Sequence, residues 1–386
     1  MAEVRPPSLY EAEAYAELLT ISFGLAPDQA DRLVQEHLPD SVRVAVADGA
    51  VMAGLLTDRQ AQSWGGRLVP VACIGGVAVA PESRRQGWAF HLLRAVLGEH
   101  RTQGTALAAL YANNPQLYRS LGFEQAGLRW VAKVSPAQVG GTATAAVVRR
   151  LTPQDLPAMK AIYRQVVLNR RDGALERSDR RWRRALGLQS EGRPWWVGAF
   201  DDSGALTGYI VWRGQGTIPK LSAVVLDFVA GSVAAATALR GVLSQLSSTV
   251  QSIELATAPD DPALWWADSA RPHLMERLFI RVLEPAGAVG QWGFPAAVDQ
   301  ALHGTWADPI FPDGDGPFTL EVSSGRGAWT QGGPGGARLT PRALAALLAG
   351  RVAPAELAIL DGPSLGSGTP WSAVFPRRSV WMRDPF

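Results

Sequence analysis

A cluster of basic residues and glycine lies between a predicted strand and a predicted helix. The apolar alternation of Val77 and Val79 ends at Pro81, and proline does not continue a central strand. From Ala89 onward, apolar residues recur at the spacing of a helix. The N-terminus of that helix would offer unpaired backbone N–H groups and a partial positive charge, which together favour an anion.

The turn itself supplies further donors for an anion, since it reads Arg84-Arg85-Gln86-Gly87-Trp88-Ala89. Arginine adds charged hydrogen-bond donors, and glycine lets a phosphate approach the backbone closely. The segment lacks the Gly-Lys-Ser/Thr of a P-loop and the Gly-x-Gly-x-x-Gly of dinucleotide-binding folds. We interpret it as a pyrophosphate-binding turn; the alternative is a surface turn whose arginines contact only solvent.

This turn resembles the acetyl-CoA loop of the GNAT (Gcn5-related) N-acetyltransferases, whose pattern is Arg/Gln-x-x-Gly-x-Gly/Ala. The resemblance implies that acetyl-CoA is the co-substrate, that all six turn residues bind it, and that the acceptor is a primary amine of a small molecule or protein. It also implies that the main chain of Val77 and Val79 pairs with the pantetheine arm. A backbone N–H near Val77 would hold the oxyanion, and Asn113 would contact CoA.

Tyr118 followed by Gly122-Phe123 is similar to the GNAT segment Tyr-x-x-x-Gly-Phe, whose tyrosine is the general acid toward the CoA sulfur. A tyrosine with a pKa of ~10 would protonate a thiolate of pKa ~8.5 at a cost of about 2 kcal/mol. The alternative is a core tyrosine whose hydroxyl bonds to the backbone. The resemblance favours the role of general acid for Tyr118.

Composition limits the possible classes of protein. The 386 residues predict two or three domains, and a hydrophobic content of 47% is ample for their cores. A formal net charge of +2 favours neither nucleic acid nor a membrane surface as a partner. The single cysteine, Cys73, forms no thiolate metal site and is expected to be a small buried hydrophobe. With no apolar signal segment, the expected location is the cytoplasm.

The chain divides into three units. Residues 1–140 form the predicted catalytic unit, 147–284 a second unit, and 286–386 a C-terminal unit in which 294–302 is predicted to be helical. The second unit repeats the strand, loop and helix of the first, but its loop at 231–236 has no arginine. It is therefore expected to be degenerate and to hold no CoA.

The order of units resembles the enhanced-intracellular-survival (Eis) type of GNAT enzyme. This implies α/β and α+β folds: two tandem GNAT-like domains and an α+β domain similar to a sterol carrier protein. It also implies a homo-oligomer such as a hexamer, and a C-terminal carboxylate at Phe386 that assists the base step. Gly24 and Leu25 stand where aminoglycoside-modifying relatives carry an acid, which argues against aminoglycosides; Asp28 and Glu36 are candidate substitutes.

Some alternatives remain open at the level of sequence. The arginine-rich stretch 170–184 is interpreted as a solvated or subunit-facing helix rather than a nucleic-acid site, because the surrounding chain is not basic. Two other functions compete with acetyl transfer. One is a non-catalytic protein that senses acyl-CoA, and the other is a lipid-binding module built on the C-terminal unit.

Overall fold

The computed structural model describes residues 3–140, 146–188, 193–257, 270, 272–360, 362–363, 365, 369–382 and 384. Its strands are β1 (Glu3–Arg5), β2 (Val42–Ala47), β3 (Ala50–Trp64), β4 (Arg67–Val79), β5 (Leu107–Tyr111), β6 (Glu124–Val134), β7 (Val147–Arg150), β8 (Leu175–Glu176), β9 (Trp195–Phe200), β10 (Leu206–Gln215), β11 (Ser222–Ala230), β12 (Ser252–Thr257), β13 (His273–Val282), β14 (Gln300–Trp306), β15 (Gly316–Ser323), β16 (Arg326–Gln331) and β17 (Ala337–Leu339).

The α-helices of the described residues are distributed along the chain, and the last two follow β17. They are α1 (Leu9–Phe23), α2 (Pro27–Gln35), α3 (Trp88–Thr102), α4 (Pro115–Ser120), α5 (Pro136–Val139), α6 (Leu156–Tyr163), α7 (Asp179–Ala185), α8 (Val233–Ser244), α9 (Pro285–Gln291), α10 (Pro341–Leu348) and α11 (Pro370–Val374). Within this part of the chain, none is both long enough and apolar enough to cross a membrane.

The local connections of the first unit follow from its turn residues. Asp48 and Gly49 both have positive φ, at 49° and 78°, as a two-residue type I′ hairpin turn requires. This confirms the hairpin predicted between β2 and β3. Helix α3 then joins β4 to β5, which run parallel. A parallel pair needs such a crossover, and the crossover places the N-terminus of α3 at the carboxyl end of β4.

One continuous sheet spans the first two units. Its order is β1-β2-β3-β4-β5-β13-β6-β12-β11-β10-β9-β7, with β8 paired to β3. Strand β13 lies between β5 and β6, where Ile280 faces Ala109 on one side and Glu124 on the other. Strand β6 also pairs with β12, where Leu255 faces Ala132. Strand β13 of the second unit therefore lies between two strands of the first unit, and β6 of the first unit pairs with β12 of the second.

The internal repeat predicted for the second unit is present. Strands β11 and β12 run parallel and are joined by α8, as β4 and β5 are joined by α3. The loops differ at the start of the helix. Ser232 caps α8, because its side chain accepts a hydrogen bond from the N–H of Ala235 (3.1 Å).

The C-terminal unit contains a separate sheet of order β16-β15-β14-β17. The helix predicted over 294–302 is wrong: the segment contains a turn, and Gln300 begins β14. The side chains of Leu302 and Trp306 are buried, and the alternation of buried and exposed positions along β14 has the period of a strand. The predicted start of α10 is confirmed, since Thr340 accepts a hydrogen bond from the N–H of Ala343 (3.3 Å).

The last described residues return to the main sheet. Trp381 forms a parallel bridge with Leu128 of β6, and the N–H of Met382 donates to the carbonyl of Leu128 (3.3 Å). Asp384 is then held by Arg177, whose Nε and Nη2 lie 2.9 and 2.8 Å from its Oδ1. The C-terminal segment is thus anchored between the first two units.

Candidate active site

A cleft of about 1190 Å³ opens where β4 and β5 diverge. The two strands pair only as far as Ile74 and Leu110, whereas β4 continues to Val79. The end of β4 consequently has no neighbour on the β5 side among the described residues. The cleft is lined by most of the residues that the sequence assigned to the site, namely Val77, Val79, Arg84, Arg85, Gly87, Trp88, Ala89, Asn113 and Tyr118.

The N-terminus of α3 faces this cleft without a side-chain cap. Gly87 is the N-cap residue and has φ 87°, a left-handed conformation that favours glycine. A Cβ built on Gly87 meets no atom within 4 Å, so the space beside the first turn is open. By contrast with α8, the first N–H groups of α3 donate no hydrogen bond to a capping side chain.

Two exposed arginines flank this helix start. Arg84 and Arg85 make no ion pair within the described part of the chain, and Arg85 has φ 63°. The indole N–H of Trp88 is buried without a partner among the described residues. Open space, uncapped N–H groups and two guanidinium groups without an ion pair together fit a pyrophosphate, although Nε of Arg84 also donates to the carbonyl of Val79 (3.4 Å). Gln86 differs, because it does not line the cleft and its amide donates to the carbonyl of Glu82 (3.1 Å).

A bulge in β4 orients one peptide unit toward the edge of β4 that is no longer paired with β5. The register with β3 shifts where Gly54 and Leu56 face Ala78 and Gly75. Gly76 lies in this bulge with φ 60°, and its carbonyl accepts a hydrogen bond from the buried hydroxyl of Tyr15 (2.8 Å). In a trans peptide the N–H points opposite to the carbonyl. The N–H of Val77, which shares its peptide with the Gly76 carbonyl, therefore points away from Tyr15.

Tyr118 lies on α4 at the wall of the cleft and is 8% exposed. Burial raises the pKa of its phenol to about 12. Its ring makes an edge contact with Phe123, with centroids 6.1 Å apart. Within the described chain its hydroxyl has no hydrogen-bond partner, so it does not make the backbone bond expected of a core tyrosine. The phenol is therefore protonated at neutral pH and open to a ligand.

The base predicted at Phe386 lies outside the described residues. Asp384, two positions earlier, is 8% exposed, and its main-chain carbonyl accepts a hydrogen bond from Tyr111 (3.0 Å). Tyr111 itself lines the cleft. The hydrogen bond therefore places the main chain at Asp384 beside the wall of the cleft.

The arginine-rich stretch contributes to the cleft of the first unit, which corrects its interpretation as a solvated or subunit-facing helix. Arg180, Arg181 and Arg184 of α7 line the cleft. Arg180 is ion-paired with Asp58 of β3, and Arg181 lies 3.5 Å from the same carboxylate. The sequence signal was the shared helical face of these arginines, but nothing in it indicated which surface they would contact.

The two candidate acids for the acceptor side have different positions. Glu36 lines the cleft, whereas Asp28 is exposed and pairs with Arg32 (2.9 Å) away from it. His37 also lines the cleft, and burial lowers its pKa to about 4, so it is neutral near pH 7. Cys73 is buried as predicted, and burial raises the pKa of its thiol to about 11.

In the second unit, a buried ion cluster lies on β11 just past the point where its pairing with β12 ends. Strands β11 and β12 pair as far as Val225 and Leu255, and Asp227 follows on β11. Its carboxylate accepts hydrogen bonds from Arg177 (2.5 Å) and Tyr209 (2.8 Å). The side chains of Arg177 and Asp227 are 0% exposed. The described residues at this end of β11 therefore form a buried ion pair and present no free arginine to a ligand.

Comparison with known protein families matches three successive parts of the chain. Residues 3–126 and 173–282 each match an acetyltransferase (GNAT) domain, and residues 286–383 match a sterol carrier protein domain. An uncharacterized N-acetyltransferase of Streptomyces coelicolor is 27% identical over 314 residues, which cover 75% of this chain and 76% of that protein.

Solved structures share the whole fold. A GCN5-related N-acetyltransferase from Anabaena variabilis superposes with a TM-score of 0.92 at 23% identity, covering 100% of both chains. Eis1 from Mycobacterium abscessus superposes with a TM-score of 0.78 at 20% identity, again over 100% of both chains. Both place two GNAT-like halves and a third unit in the arrangement described above.

Proposed function

Because this chain belongs to the GNAT N-acetyltransferases and has the Eis-type arrangement of domains, we propose that it transfers an acetyl group from acetyl-CoA to a primary amine in the cleft of the first unit. The observation that carries the proposal is the uncapped N-terminus of α3 with two unpaired arginines, at the mouth of the gap between β4 and β5. The second unit offers no equivalent, so we expect one CoA per chain.

Residues on either side of this gap would hold the donor. The pyrophosphate would lie on the first turn of α3, between Arg84 and Arg85. The pantetheine arm would extend along the unpaired edge of β4, with main-chain bonds to Val77 and Val79 as in strand addition. Asn113, which begins the turn before α4, lies on the opposite wall of the cleft.

In the proposed reaction, the neutral amine attacks the thioester carbonyl, and the C–S bond breaks as the amide forms. The N–H of Val77 would stabilise the oxyanion, since the Tyr15 hydroxyl fixes the peptide plane. Tyr118 would donate a proton to the departing sulfur. With its pKa at about 12, full transfer to a thiolate of pKa ~8.5 is uphill by about 5 kcal/mol. Complete transfer to a thiolate that has already left is therefore unfavourable, so the proton would move as the C–S bond breaks.

The attacking nitrogen must lose a proton, and we assign this to the carboxylate of Phe386. The support for this assignment is the position of Asp384, whose carbonyl is bonded to the cleft residue Tyr111. Two further residues span at most ~7 Å, which keeps a following carboxylate close to the cleft wall. The attacking nitrogen loses one proton to the carboxylate of Phe386, and the departing sulfur gains one from Tyr118. The conversion of amine and thioester into amide and thiol is therefore balanced.

The first experiment is calorimetric titration of the protein with acetyl-CoA. We expect one site per chain, and Arg84→Ala with Arg85→Ala should weaken binding by roughly 2–4 kcal/mol, or about 30- to 1000-fold. Arg59→Ala with Arg94→Ala removes the same charge from exposed positions that do not line the cleft, and should leave affinity within a few fold. Equal losses in the two double variants would contradict the proposed donor site.

The second experiment follows thiol release with a panel of primary amines. Turnover supports the transferase. Binding of acetyl-CoA without turnover across the panel would favour an acyl-CoA sensor instead. A protein that binds lipid but no CoA would favour a module based on its C-terminal unit.

A further inference from the structure

Two of the acidic side chains that line the cleft, Asp58 and Glu276, are already paired with arginines of the protein. Asp58 is 7% exposed, accepts a hydrogen bond from Ser41 (2.8 Å), and is ion-paired with Arg180 and Arg181. Glu276 is paired with Arg129 at 2.7 Å. A cationic acceptor would have to compete with these arginines, which belong to the same chain and already lie beside the carboxylates, so Asp58 and Glu276 are poor binding groups for a polycation.

Arg184 differs from the other arginines of α7. It lines the cleft and is exposed to it, and its guanidinium makes no ion pair with any described residue. Burial lowers the pKa of its guanidinium, with smaller electrostatic effects from Arg181, Arg129, Asp384 and Tyr111. Of these, the carboxylate of Asp384 is bound by Arg177. Arg184 thus presents a set of planar donors to the cleft that suits a carboxylate.

Apolar side chains form part of the wall made by α1, α2 and β3, which also contains Glu36, His37 and Asp58. Leu19, Leu25, Leu33 and Leu56 line it, together with Phe23, which remains 44% exposed. An exposed aromatic ring in a concave cleft favours an apolar group on the ligand, because burying such surface is worth about 25 cal/mol per Å². The acceptor side therefore combines an apolar surface with one unpaired cation.

We propose that the acceptor is a primary amine that carries a carboxylate and an apolar side chain, of the amino-acid class, and that Arg184 binds its carboxylate. This inference rests on the proposed acetyl transfer, which it narrows to one class of amine. Leu25 and its neighbours would contact the apolar side chain. The amine would remain free to face the thioester near Val77.

The test compares acceptors that differ only in the carboxylate: L-phenylalanine with L-phenylalaninamide, and L-leucine with L-leucinamide, with kanamycin as a polycation. Thiol release is measured for the wild type, for Arg184→Gln, and for Arg183→Gln. Arg183 is the matched control, because it is the adjacent exposed arginine of α7 and does not line the cleft. Calorimetry with the CoA-saturated protein measures amine binding without requiring turnover.

We expect the free amino acids to be the better acceptors, with kcat/KM about 10- to 100-fold higher than for the amides, since one charge-assisted contact is lost in the amides. Arg184→Gln should abolish this preference by raising KM for the acids while kcat and the amides change little. Arg183→Gln should behave as the wild type does.

Other outcomes separate the inference from the proposed function. Equal kcat/KM for acids and amides, or kanamycin as the best acceptor, would overturn the carboxylate class and leave the transferase intact. Binding of the amino acids that depends on Arg184, without any thiol release, would support the inference and overturn acetyl transfer. If the protein neither binds nor acetylates any of the amino acids, the inference is overturned as well.

Discussion

Replacing Arg177 by Met should destabilise the protein far more than replacing an exposed arginine by Met. Arg177 is 0% exposed and lies between the carboxylates of Asp227 and Asp384, and its guanidinium stacks 4.1 Å from the ring centre of Tyr163. Methionine keeps an apolar stem but removes the charge. Asp227, whose side chain is also fully buried, would retain the bond from Tyr209 but lose its cation.

The expected magnitude follows from this burial. Removing one partner of a buried ion pair costs about 3–5 kcal/mol, because the remaining charge is left uncompensated. A typical domain has only ~5–15 kcal/mol of stability. The matched control is Arg164→Met, which breaks a pair with Glu176 whose side chains are 63% and 35% exposed. Exposed pairs contribute about 0–1 kcal/mol, so this control should change little.

Urea unfolding at pH 7, followed by circular dichroism and tryptophan fluorescence, measures both variants. Adding Asp227→Asn to Arg177→Met should recover part of the loss, since it removes the uncompensated charge. If Arg177→Met costs no more than Arg164→Met, then the buried cluster does not stabilise the junction of the units. If the second substitution recovers nothing, the loss comes from packing rather than from charge.

Further predictions concern the chemistry and the pH dependence of the chain. Tyr118→Phe should lower kcat by ~10²–10⁴-fold with unchanged acetyl-CoA affinity; normal turnover with lower stability would indicate a packing role instead. Adding residues after Phe386 should strongly reduce turnover but not CoA binding, and an equally fast tagged protein would remove the carboxylate from the mechanism. Hydrogen bonds from Arg5 lower the pKa of Glu11 to about 2. As the pH falls, the Glu11 carboxylate is therefore protonated in the unfolded state before it is protonated in the folded state. The stability difference between wild type and Glu11→Gln should shrink as the pH falls from about 4.5 toward 2, and a difference independent of pH would contradict this.

The sequence by itself determined the features that depend on neighbouring residues. The turn between β4 and α3 contains its arginines and Gly87 within six positions, and a strand, a turn and a helix each have a local pattern. The hairpin at Asp48-Gly49 follows from the φ angles that these residues tolerate. The family resemblance added the roles assigned to Tyr118 and the residues around it, because that segment is also short.

Local patterns were insufficient where a segment's fate depended on distant partners. The segment 294–302, predicted to be a helix, instead contains a turn, and from Gln300 onward its pairing with β15 makes it a strand. No local pattern indicated that β13 lies between β5 and β6, because a strand can pair with many similar edges.

Only the tertiary structure decided which surfaces the charged residues contact. Arg177 and Asp384 are separated by 207 positions, and Arg180 and Asp58 by 122, yet both pairs are in contact. A row of arginines on one helical face has the same sequence pattern whether it faces solvent, nucleic acid or a protein cleft. The folding of α7 against β3 places that row on the acceptor side, and burial then determines which of its charges are paired and which one remains available to a ligand.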